Sequence, residues 1–408
     1  MIPRLRPYLG SEELSALLRI EGGRVCAFED AFARTFAAQH ALAFPYGRSA
    51  LWAFFKAVEL ENAEIILPAY TCVVVAHAVL LSGNIPRFVD ITLTDYNMQL
   101  DQVEQAINQR TQAVVATHLF GYPLDIVRLQ AIVQAAERRF GHKIWVIQDC
   151  AHSFGARWQG QLVCSAGDVA LFGLNISKLM TAIFGGMLTT NDSALAERLR
   201  TWRDQHLHPA SLGREIRRLL YLLAVYGAFS QTAYDLVYWL QERTPLLNPL
   251  TKAYHLDEKV HFPPDYTEQM GNVEAQVGLA QLGKYAQIVQ KRVEYASYYH
   301  KHLQEAPGWV KPPWVEGATY SHYVVRVPNR DHLLAVMARR GVQLGQLIEY
   351  SVPHMAAYQR FAAGEAFPNS WLCSQSMINL PVHGWLSQQQ QRRVVEQLNA
   401  QIHAGHWQ

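Results

Sequence analysis

Between about residues 60 and 190 the chain alternates short apolar runs with helix-like stretches, and few folds accept that pattern. The runs are Ile65-Ile66-Leu67, Arg87-Phe88-Val89, residues 113–116, 144–147 and 169–172, and Met187-Leu188. Amphipathic stretches separate them, at residues 102–108 and 124–138. A short run with no polar alternation reads as a strand buried on both faces. Helical stretches between such runs carry the chain back to start the next strand in the same direction. The predicted class is therefore α/β, a mostly parallel sheet flanked by helices. Residues 51–60 predict a further helix, entered through Gly47-Arg48-Ser49, a glycine turn with a serine at the helix entrance.

The pattern changes after about residue 245. Pro245, Pro249, Pro263 and Pro264 break the chain into a connecting region. Apolar residues at helical spacing (Val273, Val277, Ala280, Leu282, Tyr285, Ile288) predict one long helix over residues 272–305. A strand over 323–327, a helix over 331–340 and a last helix over 387–404 complete a smaller α+β unit. The expected division is a large α/β domain over 1–265 and a connecting helix with the small domain over 266–408.

Composition removes several function classes. Half of the 408 residues are hydrophobic and the formal charge is +2, which excludes a disordered chain and a polybasic nucleic-acid binder. The cysteines (Cys26, Cys72, Cys150, Cys164, Cys373) are odd in number and form no CxxC pair, and the histidines form no HExxH. That usage reads as free thiols in a reducing, cytoplasmic compartment with no metal site. The N-terminal Met1-Ile2-Pro3-Arg4-Leu5-Arg6 leads into no apolar core of signal-peptide length.

Three features carry the chemistry. Gly47-Arg48-Ser49 at a helix start offers backbone N–H groups and a helix dipole to a phosphate, or is an ordinary helix cap. Asp149, in Val146-Ile147-Gln148-Asp149-Cys150-Ala151-His152, ends a buried strand where α/β sheets bind ligands, or caps the following loop. Lys178, in Asn175-Ile176-Ser177-Lys178, stands among small and apolar neighbours before Gly185-Gly186. Desolvation there disfavours its ammonium and makes the amine a usable nucleophile, whereas most lysines are solvated. A phosphate cradle, then a carboxylate, then a lysine 29 positions on is what pyridoxal phosphate requires.

With these residues in view the chain resembles the DegT/StrS-type aminotransferases, fold-type-I pyridoxal-phosphate enzymes that aminate keto-sugar nucleotides. The resemblance runs from Phe28-Glu29 to the C-terminus. It is carried by Gly47-Arg48-Ser49-Ala50-Leu51, Leu67-Pro68-Ala69-Tyr70-Thr71, His118-Leu119-Phe120-Gly121-Tyr122-Pro123, Gln148 to Gly155, the lysine block and Asn379-Leu380-Pro381-Val382. It implies that Lys178 is the Schiff-base lysine and proton carrier, and that Asp149 pairs with the cofactor's ring nitrogen. By the same resemblance His152 contacts its phenolic oxygen, Ala151 packs on a ring face, and Gly47, Arg48 and Ser49 hold the phosphate. A homodimer, an amino-acid donor such as glutamate or glutamine, and substrate contacts from His118, Tyr350 and His354 are implied too. A lysine at 178, where dehydratase relatives carry histidine, favours transamination.

The chain departs from the family in places. Cys72 stands where a stacking aromatic is usual, so Tyr70 or another aromatic would stack instead. Gly173 replaces a phosphate-binding serine, for which Asn175 or Ser177 would substitute. Thr267 replaces an asparagine that the partner subunit contributes, and Phe184 replaces a glutamate. These changes make the site mouth less polar. A stretch expected to be enlarged, residues 205–264, begins with arginines and then runs uncharged from Leu219 to Tyr234. Arg214, Arg217 and Arg218 beside that apolar run match a helix lying on a membrane surface through about residues 214–240, and a helix buried on the enzyme or in a dimer interface is the plainer reading. Three functions stay open: aminotransfer to a keto-sugar nucleotide or a related, lipid-linked carbonyl; a pyridoxal-phosphate lyase or desulfurase, with Cys373 as its thiol; and a non-catalytic, membrane-docking relative.

Overall fold

The short apolar runs form the strands they predict. In the computed structural model, which describes residues 1–18, 22–230, 233–243, 259–362 and 364–404, a seven-stranded sheet contains β1 (His40–Phe44), β2 (Glu64–Pro68), β3 (Ile85–Val89), β4 (Thr111–Thr117) and β5 (Trp145–Asp149). After a small hairpin, β6 (Arg157–Trp158) and β7 (Gln161–Leu162), it gains β8 (Val169–Gly173) and β9 (Gly186–Thr190). The order across the sheet is β1-β9-β8-β5-β4-β2-β3. From β8 to β3 all neighbours are parallel.

Two strands depart from the sequence reading. Met187-Leu188 falls in β9, which is antiparallel to both β8 and β1. Residues 174–185 between β8 and β9 form no crossover helix, so the chain can only turn back on itself. This turn carries Lys178. Strand β1 was not foreseen because His40-Ala41-Leu42-Ala43-Phe44 has no β-branched residue, and its pairing with β9 supplies what propensity lacks.

The helix predicted at 51–60 runs over Gly47–Ala57, with Tyr46 as its extended N-cap residue. Its start is pressed against the sheet. A Cβ on Gly186 would lie 2.6 Å from Gly47 Cα and N, and one on Gly47 would lie 3.4 Å from Gly173 Cα. Three glycines therefore let a helix N-terminus meet the ends of β8 and β9, backbone against backbone.

The small unit pairs β10 (Tyr323–Arg326) with β11 (Met377–Leu380). Helices Arg330–Arg339 and Gln388–Ala404 pack against the pair. Ile2 bonds to Gly341 and Gln343 and is buried in the same core, so the first residues are tied to the small unit across the sequence boundary drawn at 265. The long helix expected over 272–305 is two, Asn272–Gly283 and Tyr285–His302. Gly283 favours a break, and Lys284 leaves helical geometry to place its ammonium 2.7 Å from the buried Glu13.

The apolar segment is likewise two helices, Leu212–Ala228 and Tyr234–Arg243. No helix among the described residues is long and apolar enough to cross a membrane. The arginines read as facing a membrane surface mostly turn inward, which corrects that expectation. Arg214 is fully buried against Glu274 and Asp265, at 3.2 and 3.1 Å. Arg218 meets the same two carboxylates at 3.0 and 2.8 Å. Only Arg217 stays outside, 59% exposed and 3.7 Å from Glu268. Glu215 accepts from the N–H groups of Asn272 and Val273, so this helix also caps the start of Asn272–Gly283. Its outer face leaves Leu212, Ile216, Leu220 and Leu223 exposed in a row.

Candidate active site

Ligands of a parallel sheet bind beyond the carboxyl ends of its strands, and here β5 and β8 end at Asp149 and Gly173. A pocket of about 70 Å³ lies at that edge, walled by Gly47, Asp149, Ala151 and Gly173. It opens into a cavity of about 350 Å³ that reaches the small unit. Lys178, Cys72, Arg48 and Asn175 line both. The sheet, the Gly47–Ala57 helix and the lysine turn thus bring together the three features that sequence reading singled out separately.

Lys178 is half-buried. Desolvation lowers its pKa, against the pull of Cys72 and Asp149. The turn that presents it is fixed by Asn175, whose carbonyl accepts from the Lys178 N–H at 3.0 Å. The Asn175 side-chain oxygen accepts from the Ser177 N–H and hydroxyl, at 3.1 and 2.7 Å. Asn175 and Ser177 therefore shape the loop as well as line the cavity.

Asp149 is nearly inaccessible, and burial raises its pKa. The Ala151 N–H at 3.1 Å, Lys178 and Thr117 pull the other way. His152 lies flat beside Phe120, 6.2 Å between ring centroids and 15° between planes. Its Nδ1 accepts from the Phe120 N–H at 3.4 Å, so the neutral ring carries its proton on Nε2. Burial, with Lys178 nearby, pushes the His152 pKa well below its usual value. Phe120 holds a left-handed backbone (φ 58°) to make this contact, strain of the kind that gathers at functional sites.

The pocket suits pyridoxal phosphate. The first-turn N–H groups of Gly47–Ala57 have no partners within the helix, and the buried Ser49 hydroxyl in that turn has no partner among the described residues. A phosphate would supply acceptors to both. Asp149 at the far wall offers a carboxylate, and Lys178 between them offers the amine. Arg48 is nearly buried, with Nη1 donating to the His261 carbonyl.

Several predicted contacts are placed elsewhere. Tyr70 lines neither cavity; it is fully buried in the small unit's core and donates to the Ile348 carbonyl at 3.0 Å. It therefore does not stack over the pocket, where Cys72, Val74 and Val75 form the wall instead. His118 is fully buried, bonded to Gln148 and to the Leu124 N–H at 2.8 and 2.9 Å, so it is a packing residue and not a substrate contact. His354 is exposed against Trp371, 4.8 Å between centroids, and lies outside both cavities. Tyr350 does line the larger cavity, while its hydroxyl accepts from the Val73 N–H at 3.0 Å. Thr267 lies outside both cavities of the single chain, its carbonyl accepting from the His208 N–H. Cys373 is buried in the small unit's core with its pKa pushed up to about 12 by burial, which removes the thiol on which a desulfurase reading depends.

Sequence reasoning missed much of the larger cavity's wall. Arg4, Arg292, His322 and His383 reach it from the N-terminus, a helix flank and the small unit, and no local motif marks them. Tyr46, Phe184 and Tyr221 form an aromatic side. Tyr46 donates to Asp265 at 2.5 Å and accepts from Arg218 at 2.8 Å, and Arg218 lies over the Phe184 ring at 4.3 Å. The buried ion cluster thus holds the aromatic wall in place. Among the described residues no three His, Cys, Asp or Glu side chains gather as a metal site.

Comparison with known proteins agrees with this geometry. The model of the DegT/DnrJ/EryC1/StrS aminotransferase family matches residues 12–227 and 240–399. The stretch expected to be enlarged, 205–264, is thus family-like apart from residues 228–239. Among solved structures, PseC of Helicobacter pylori, an aminotransferase involved in the biosynthesis of pseudoaminic acid, superposes with a TM-score of 0.78 at 20% identity, covering 99% of each chain. The sugar aminotransferase CalS13 of Micromonospora echinospora gives 0.76 at 20%, covering 98% of this chain and 100% of its own. AtS13 of Actinomadura melliaura gives 0.76 at 24%, covering 98% of each chain. At these identities the likeness speaks to the fold.

Proposed function

The chain belongs to the DegT/DnrJ/EryC1/StrS aminotransferase family, and from that premise we propose that it moves an amino group from glutamate or glutamine to the carbonyl carbon of a keto-sugar nucleotide or a related carbonyl compound. The observation that carries this reading is Lys178 and Asp149 together on one glycine-walled pocket beneath a helix N-terminus. Pyridoxal phosphate would supply an electrophilic carbon for the donor's amine and a ring that withdraws electrons from the carbon bearing that amine. Gly47, Arg48 and Ser49 would hold its phosphate end through the first helical turn. Asp149 keeps a proton at the ring nitrogen by charge pairing. The Lys178 amine, whose protonation desolvation disfavours, takes a proton from the donor carbon and returns it one position away. His152 directs its Nε2–H as a fixed neutral donor, because its Nδ1 is engaged.

The aromatic wall of Tyr46, Phe184 and Tyr221 supports an acceptor with an apolar or planar part, a lipid-linked sugar among them. A homodimer belongs to this reading, since the resemblance completes each site with the partner subunit. The test is turnover of a panel of nucleotide-linked keto sugars with glutamate, scored by amino-sugar formation. Product from at least one, lost in Lys178→Ala, supports the proposal. Release of pyruvate or sulfide from an amino acid without amino-sugar formation contradicts it.

A further inference from the structure

One cation on the larger cavity has no role so far. Arg292, on helix Tyr285–His302, is 6% exposed yet lines that cavity. Its Nη1 donates to the Ser321 carbonyl, and its Nε has no acceptor. Among the described residues no carboxylate forms an ion pair with it. Burial alone pulls its pKa down to about 10. Arg203 and Arg218 are the contrast: burial opposes their charge too, but neighbouring carboxylates outweigh it. A buried charge without a counter-charge works against folding. Such a group persists where a ligand supplies the missing charge.

Its position indicates which ligand. Arg292 bonds to the Ser321 carbonyl beside His322, whose ring centroid lies 5.0 Å from that of His152, and Lys178 lines the same cavity. The guanidinium and the reacting amine thus line one cavity together with this pair of imidazoles. An α-carboxylate is bonded to the carbon that carries the migrating amino group, so its receptor must lie this deep. The phosphates of a nucleotide sugar sit at the far end of the substrate from its carbonyl, and the solvent-exposed Arg4 on the same cavity is the better match for them. A planar guanidinium matches a planar carboxylate through paired hydrogen bonds.

We propose that Arg292 is the carboxylate receptor for the amino donor, a specificity residue that orients the donor's α-carbon toward Lys178. This rests on the aminotransferase reading above. Arg292→Gln and Arg292→Lys, loaded with pyridoxal phosphate, are titrated calorimetrically with glutarate, a dicarboxylate that cannot react, and with UDP. Arg292→Gln should weaken glutarate binding by about tenfold or more, with UDP affinity and cofactor absorbance unchanged. Arg292→Lys, which keeps the charge but not the fork, should fall between, and it decides the matter if the glutamine variant does not fold. Glutarate affinity equal to wild type in the variants, no glutarate binding by the wild type, or a loss confined to UDP would overturn the proposal. If the enzyme instead fails to transaminate, glutamate leaves the wild-type spectrum unchanged while glutarate still separates wild type from Arg292→Gln.

Discussion

Lys178 and His118 were both singled out in the sequence, and burial gives them opposite meanings. The lysine stands at the junction of two cavities with its charge disfavoured, so its presence costs stability and serves chemistry. Lys178→Ala should abolish amino transfer and the visible absorbance of lysine-linked cofactor, while the melting temperature of the cofactor-free protein stays level or rises. A large drop in melting temperature would mean that the lysine is structural. His118 is spent on packing, and its ring is held neutral by burial, with a pKa lowered to about 4. The unfolded chain binds a proton at this residue below about pH 6.5, where the folded chain does not. Its contribution is therefore complete above that pH and is lost as the pH falls toward 4, roughly 3 kcal/mol in all. The slope of unfolding free energy between pH 6.5 and 4 should flatten in His118→Gln, and an unchanged slope would remove His118 from the account. Local motif was enough to single out Lys178, Asp149 and His152, which the fold brings to the two cavities. It misplaced His118, Tyr70 and His354, because only tertiary packing decides which side of a strand or turn faces a cavity.

Elements were legible wherever a periodic apolar pattern ran long enough, as for β2 to β5 and the helices Leu100–Ala106 and Ile126–Phe140. The reading failed where pairing overrides propensity (β1), where a missing crossover reverses a strand (β9), and where a lysine's partner breaks a helix (Lys284). Glycine spacing turned out to matter most at the approach of Gly47 to Gly173 and Gly186. A methyl on Gly186 would press on backbone atoms that cannot move aside. Gly186→Ala should cost about 1–3 kcal/mol and weaken cofactor affinity, read by denaturant midpoint and cofactor titration. Helix Leu212–Ala228 carries the first part of the uncharged run that begins at Leu219. Its inner face proves to be an ionic clamp on the start of Asn272–Gly283 and on the aromatic wall. Glu274→Gln leaves Arg214 and Arg218 short of a buried counter-charge and should destabilise by roughly 3–5 kcal/mol. Arg217→Ala, at an exposed pair, should change stability by less than about 1 kcal/mol. Equal effects of the two would contradict the inward orientation.

At the scale of the whole molecule, sheet, small unit and N-terminus converge on one cleft. The large unit provides the lysine, the carboxylate and the helix N-terminus, and all three could be read from local sequence. The small unit and residues from both ends of the chain provide Arg4, Arg292, His322 and His383, which sequence distance hides. The division of labour we propose is cofactor chemistry on the sheet edge and substrate selection in the cavity between the units. The most direct test of that claim is a single half-reaction. Wild-type protein saturated with pyridoxal phosphate is mixed with glutamate, with no acceptor present, and both the absorbance spectrum and released 2-oxoglutarate are followed. The account predicts loss of the visible band with one 2-oxoglutarate formed per site, and neither change in Lys178→Ala. A stable visible band with no oxo acid, under glutamate and glutamine alike, would contradict it.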